Sequence, residues 1–130
     1  MPVAPVFGSG AFPFQPVWIE DVAQACAVAL ERRDITGTLE LGGPDVITFE
    51  ALVRAVGRAI DRERPIVHIP MPVARLMARL GNPLGSLAPI TVDQLQMLVE
   101  GSVTPANAIR SVFGIQPLSF TDGLRRFLRA

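Results

Sequence analysis

One histidine, His68, and one cysteine, Cys26, are all the imidazole and thiol chemistry this chain holds, and it has neither lysine nor tyrosine. Those two absences delete whole classes of catalyst. A hydrolase triad would need a Ser or Cys nucleophile near His68. Yet His68 alternates with Val67 and Ile69, as a residue on the polar face of a strand does. That reading stands beside a catalytic or proton-relay role. The neighbouring carboxylates Glu20 and Asp21 do not form an acid/base pair, because adjacent residues on a helix do not face each other. They sit where a helix exposes unpaired N–H groups, so Asp21 reads as a helix cap, with a ligand contact at the helix mouth as the alternative. Arg75 and Arg79, four apart on one helix, could hold a phosphate or carboxylate or simply form a solvated face. Gly42-Gly43 before Pro44 permits close backbone approach to a ligand or another chain, or marks a tight exit from a strand. Gly8-Ser9-Gly10 looks superficially like a phosphate loop. Pro13 follows and no helix does, so it reads as a turn.

The elements that would carry these residues alternate. The stretch Phe14-Gln15-Pro16-Val17-Trp18-Ile19 has the period of a short strand, over about 15–19, and runs into an alanine-rich helix over 21–33. On that helix Val22, Cys26, Ala29 and Leu30 share one face, with Cys26 as a small buried residue. A second strand at 38–41 stops at Gly42-Gly43-Pro44. Thr48 is placed to cap a helix at about 49–62, with Phe49, Leu52, Val53, Val56 and Ile60 on one stripe. A third strand covers 66–69, and residues 1–13 read as an extended loop. Strand-helix-strand-helix-strand with short linkers predicts an α/β fold with parallel strands.

The second half is helical. Helices are expected over about 72–80, 92–100, 105–113 and 120–129. In the first, Val73, Leu76, Met77 and Leu80 carry the apolar face. Residues 82–90 read as a lid-like loop. Thr91-Val92-Asp93-Gln94 fits a capping box.

Composition narrows the partners. Hydrophobic residues make up 49% and charged residues 18%, below the roughly 25% usual for soluble domains. Basic and acidic residues balance at 12 each. A neutral chain without a basic stripe gives nucleic-acid binding no electrostatic support. A lone cysteine excludes an internal disulfide, no metal-ligand spacing occurs, and no apolar run approaches a membrane span. The expected location is cytoplasmic.

Four blocks occur in order: Phe14 to Ala23, Thr38-Leu39-Glu40-Leu41-Gly42-Gly43-Pro44-Asp45, Thr48 to Leu52, and Thr91 to Leu95. Together they resemble the C-terminal part of an atypical, extended short-chain dehydrogenase/reductase of the NAD-dependent epimerase/dehydratase-like kind. The nearest branch is the NAD(P)H-binding accessory subunit of respiratory complex I and its bacterial relatives. The resemblance implies a C-terminal portion of a Rossmann-like fold, with residues 1–130 as one substrate-side segment and the dinucleotide-binding part outside it. It implies NAD(P) for a full-length relative and none bound by this segment alone. Phe14 and Gln15 stand where sugar-nucleotide epimerases place the Arg-Asp whose Arg meets the substrate diphosphate. Phe14, Gln15, Trp18 and Arg75 are the substrate-side candidates. No residue is assigned a catalytic, cofactor-binding or metal-binding role. The expected partner is the N-terminal Rossmann half or another protein subunit, with homo-oligomerisation and peripheral association with a respiratory complex as further options. The expectation is a distal segment without activity of its own. The alternative is a non-enzymatic interaction or assembly module.

Overall fold

The computed structural model describes residues 3–81 and 90–129. Along the chain the elements are β1 (Ala4–Phe7), β2 (Pro13–Phe14), α1 (Ile19–Glu31), β3 (Ile47–Thr48), α2 (Phe49–Ala59), β4 (Ile66–Ile69), α3 (Met71–Gly81), α4 (Val92–Glu100), α5 (Ala108–Ser111) and α6 (Phe120–Arg129). The mixed α/β class with short parallel strands holds. The chain divides into two units, one of Met1–Pro13 and Thr48–Gly101, the other of Phe14–Ile47 and Ser102–Ala130.

In the first unit β1 pairs in parallel with β4, from Ala4 opposite Ile66 to Phe7 opposite Ile69. This strand lies within the stretch 1–13 expected as an extended loop. Pro5 has no N–H to give a ladder, yet a two-stranded edge tolerates it. The strand ends in the turn Gly8-Ser9-Gly10, whose two glycines have φ of 63° and 68°. A Cβ at Gly10 would come within 2.7 Å of Val6 Cγ1. The Gly10 and Phe12 carbonyls accept from the Glu50 and Phe49 amides at the start of α2, at 3.0 and 2.9 Å. These contacts satisfy helix donors with carbonyls, the reverse of a phosphate cradle.

Thr48 caps α2 as expected, its Oγ1 accepting from the Ala51 amide at 3.2 Å. The helix ends at Ala59, earlier than the expected 62. Asp61 turns left-handed at φ 51°. The Asp61 amide donates to the Arg58 carbonyl at 3.1 Å and the Arg62 amide to Gly57 at 2.9 Å. This is a Schellman closure, which satisfies two of the carbonyls a helix end leaves open.

α3 differs from its expected face. Ala74 and Ala78 are fully buried and form a core with Ile90 and Leu95. Val73, Leu76, Met77 and Leu80 remain exposed. Small side chains four apart let a neighbouring helix approach closely, and dispersion contacts across that short gap replace bulk. The Thr91–Gln94 capping box forms, with bonds of 3.2 and 3.0 Å. The lid-like loop expected over 82–90 lies, apart from Ile90, outside the described residues.

In the second unit Ala25, Ile109 and Ile115 make the core, with Val17, Leu41 and Phe113 against it. The expected strand at 15–19 is not a ladder strand. Phe14 makes a single parallel bridge with Ser102, Pro16 has no N–H to continue it, and α1 begins at Ile19. The strand at 38–41 reduces to one bridge, Glu40 with Asn107. On α1 the buried residues are Asp21 and Ala25. Cys26 is exposed and Leu30 is 87% exposed, so the inward face lies beside the one read from the sequence. The helix expected over 105–113 shortens to Ala108–Ser111, because Thr104 and Asn107 are engaged elsewhere.

Candidate functional site

Gln15 lies near the start of the second unit, and the amide of its side chain is used at both ends. Nε2 donates to the Gly43 carbonyl at 3.0 Å, and Oε1 accepts from the Thr104 amide at 2.9 Å. Its own backbone N–H donates to Ser102 at 2.8 Å. Asn107 completes the arrangement. Its Oδ1 accepts from the Gly42 amide at 3.0 Å, and its Nδ2 donates to the Gly42 carbonyl at 2.8 Å. That is the two-way pairing of a strand edge, made by a side chain. Thr104 Oγ1 also donates to Glu40.

The glycine pair is what lets these segments meet. A Cβ on Gly43 would fall 1.7 Å from the Pro16 carbonyl oxygen, and one on Gly42 2.6 Å from Gln15 Cδ. Of the readings the sequence left open for Gly42-Gly43, close approach of the chain to itself is the one seen. Gln15 therefore joins three segments of its own unit. From the sequence Thr104 marks only the start of the helix expected over 105–113, and Asn107 is not singled out. The only local signal was Asn107 as an N-cap, which it also is, accepting from the Ile109 amide at 3.2 Å.

Trp18, three residues on, holds the N-cap position of α1 without a side-chain cap. Asp21 is therefore not the cap of its helix. It is 8% exposed, and its Oδ2 accepts from the Leu118 amide at 2.8 Å. The physical reason is position: the first turn of α1 faces the entry to α6, and a carboxylate there satisfies a donor of the other segment. Asp45 acts in the same way, accepting from the Phe120 amide at 2.9 Å. Ser119 Oγ accepts from the Asp122 amide at 3.2 Å. Three oxygens thus hold the start of α6, where carboxylates also favour the positive helix end.

Beside this junction is an apolar pocket of about 190 Å³, walled by Val17, Trp18, Phe120, Leu124 and Phe127. Gly123 forms its floor, where a Cβ would meet Trp18 Cε3 at 3.1 Å. The indole Nε1 donates to Glu20 Oε2 at 3.2 Å. The pocket could take a small apolar group, and no ionisable side chain lines it.

Arg75 belongs to the other unit. It lines a groove of about 210 Å³ with Arg79 on α3 and Leu95, Gln96 and Val99 on α4. The structure thus puts Gln15 and Trp18 in one unit and Arg75 in the other. In that unit His68 Nε2 lies 2.9 Å from Glu50 Oε2, while Arg54 pairs with Glu50 Oε1 at 2.7 Å. The hydrogen bond from Arg54, then that from His68, holds the Glu50 carboxyl below its ordinary value. His68 is bonded, among the described residues, to a carboxylate, not to a Ser or Cys nucleophile. Among the described residues no cluster of His, Cys, Asp and Glu could hold a metal ion. Nor is any helix there long and apolar enough to cross a membrane.

Comparison with known proteins agrees with this architecture. No family model matches the chain. It is 33% identical over 116 residues to NADH dehydrogenase [ubiquinone] 1 alpha subcomplex subunit 9, mitochondrial, of Arabidopsis thaliana. That match covers 82% of this chain and 29% of the subunit. Among solved structures, the chain superposes on UDP-glucuronic acid 4-epimerase from Bacillus cereus in complex with NAD with a TM-score of 0.60 and 13% identity. That superposition covers 95% of this chain and 32% of the epimerase. With gox2253 the TM-score is 0.66 at 24% identity, over 99% of this chain and 38% of the other. The chain spans about a third of the length of each protein it matches. The likeness to an atypical, extended short-chain dehydrogenase/reductase holds on both counts: in sequence to part of a mitochondrial NADH dehydrogenase subunit, and in fold to part of an NAD-complexed epimerase.

Proposed function

We propose that this chain is the substrate-side segment of an NAD(P)-binding protein of that kind, related to the complex I accessory subunit and without turnover or tight dinucleotide binding of its own. The observation that carries the reading is the 33% identity across 82% of the chain. It is supported by a sequence without lysine or tyrosine, and by a Gly8–Gly10 turn whose Gly10 carbonyl accepts from the first turn of the adjoining helix. NAD(P) would belong to a full-length relative. Phe14, Trp18 and Arg75 are kept as substrate-side residues, whereas Gln15 is read as a clamp within the chain. A cytoplasmic location, or one at the periphery of a respiratory complex, is part of the same proposal. Calorimetric titration of the purified chain with NADPH tests it, and the expected result is no saturable heat. Micromolar binding would overturn the reading.

A second reading is favoured by one observation. Leu76 and Leu80 on α3 are 57% and 64% exposed, on a helix whose alanines face the core. Such a stripe suits a face covered by another polypeptide, as in an interaction or assembly module. Light scattering on the purified chain distinguishes the two: a monodisperse monomer counts against self-association, and a stable dimer supports it.

A further inference from the structure

The most spacious groove among those described lies in the first unit and belongs to none of the residues discussed as candidates. Its volume is about 320 Å³. Its apolar floor comprises Val53 and Val56 of α2, Ile60 just past the end of that helix, and Ile66 at the start of β4. None of the α2 residues is fully buried, and Ile60 is 45% exposed. The apolar stripe of this helix is therefore only partly covered by its own unit, unlike a usual amphipathic helix.

The rim has a different character. It carries Arg54, Arg58, Arg62 and Arg64, against a single carboxylate, Glu63. In a chain of zero formal charge this is a local concentration of guanidinium. Arg54 is engaged by Glu50 at 2.7 Å. Arg58 meets Glu63 at 3.7 Å, with both side chains largely exposed, a pairing that contributes little. Arg62 has no carboxylate within ion-pair distance among the described residues. The loop that carries Arg62 is pinned by its backbone. The Arg62 amide donates to Gly57 at 2.9 Å, and a Cβ on Gly57 would meet the Arg62 carbonyl oxygen at 3.4 Å. The main chain at Arg62 is thus fixed at the groove's edge, and its guanidinium has no carboxylate partner among the described residues.

An apolar floor under a cationic rim fits a ligand with two parts. Guanidinium forks match phosphate oxygens, and several of them suit a doubly charged phosphomonoester better than a carboxylate. The volume sets the size, since small-molecule sites run from about 300 to 1,000 Å³. A groove at the bottom of that range takes a short chain or one ring and excludes a dinucleotide. We propose that this groove binds an amphiphilic phosphomonoester, its phosphate on Arg58 and Arg62 and its hydrocarbon over Val53, Val56 and Ile60. The ester could come from a free metabolite or from a membrane lipid headgroup, which share this chemistry.

The test uses the full 130-residue chain. Octyl phosphate, below the concentration at which it forms micelles, is titrated by calorimetry beside inorganic phosphate and octanol. Vesicles containing phosphatidic acid are compared with neutral vesicles by co-sedimentation. Saturable binding of octyl phosphate is expected, about tenfold tighter than inorganic phosphate. The double substitution Arg58→Ala with Arg62→Ala should weaken it about tenfold or more. Both side chains project from the fold, so an unchanged thermal midpoint should accompany that loss, and Val56→Ser offers an independent probe of the floor. Binding of the free ester without vesicle retention supports a metabolite. Retention on phosphatidic acid vesicles that the double substitution abolishes supports a lipid. The proposal is overturned if neither octyl phosphate nor the vesicles bind, if the double variant binds both as well as the parent, or if inorganic phosphate binds as tightly as the ester.

Discussion

The Asp21 carboxylate accepts a 2.8 Å hydrogen bond from the amide of Leu118, 97 residues further along the chain. One end of α1 is thereby tied to the start of α6 through a nearly buried oxygen. Removing the acceptor leaves a donor in a dry environment, which costs the full desolvation of that group. Asp21→Ala is expected to destabilise the chain by about 1–3 kcal/mol. Asp21→Asn keeps a carbonyl acceptor and should cost less. Urea unfolding monitored by Trp18 fluorescence measures both, and equal losses would show that the charge, not the hydrogen bond, matters.

Gly43 gives a sharper outcome. A Cβ there would sit 1.7 Å from the Pro16 carbonyl oxygen, inside any contact distance, and backbone cannot swing away as a side chain does. Gly43→Ala should cost about 3 kcal/mol or more, the range of strongly disruptive single changes. Gly37→Ala is the control. Its φ is 85°, but nothing lies within 4 Å of the added carbon, so only the local left-handed cost of about 1 kcal/mol applies. Far-ultraviolet circular dichroism on heating compares them, and a Gly43→Ala protein as stable as the control would refute the close approach.

Which parts of this fold were legible follows from the range of the interactions. Thr48 and the Thr91–Gln94 box act within three residues, so the sequence alone announces them. The strand at 66–69 has a clear period, whereas its partner at Ala4–Phe7 contains Pro5, which masks a strand that pairs on one side only. The faces of α1 and α3 were misjudged for one reason. A hydrophobic pattern ranks leucine and valine above alanine, while a close helix contact selects Ala74 and Ala78 for their size.

The site was less legible than the fold. Gln15 and Asn107 spend their amides on partners 89 and 65 residues away, and no local window holds that information. The Phe14–Ala23 block could be recognised as a unit, but its resemblance gave Gln15 a ligand-facing position. The chain's own backbone occupies that amide instead.

Asp61 offers a change expected to stabilise. It adopts φ 51° at the end of α2 in a Schellman closure, where glycine is the usual residue. Its negative charge also lies at the negative end of the helix dipole. Asp61→Gly removes both penalties and adds chain entropy to the unfolded state, which offsets part of the gain. A net stabilisation of about 0.5–1 kcal/mol is expected. A lower urea midpoint in the variant would mean that the Asp61 side chain makes a contact worth more than both.

Glu50 contributes to the acid limb of the stability profile. Arg54 and His68 hold its carboxyl below the ordinary value of 4.5 in the folded chain. A carboxyl depressed on folding contributes stability that is fully present above its unfolded value and lost as pH falls through the lower folded value. Thermal midpoints should therefore fall more steeply in the parent than in Glu50→Gln from about pH 5 downwards. Above that range the parent should be the more stable of the two. The pairs are partly exposed, so salt should narrow the difference. Parallel midpoint curves for the two proteins across that range, in low salt, would show that Glu50 titrates alike folded and unfolded and that the Arg54–Glu50–His68 contacts do not persist in solution.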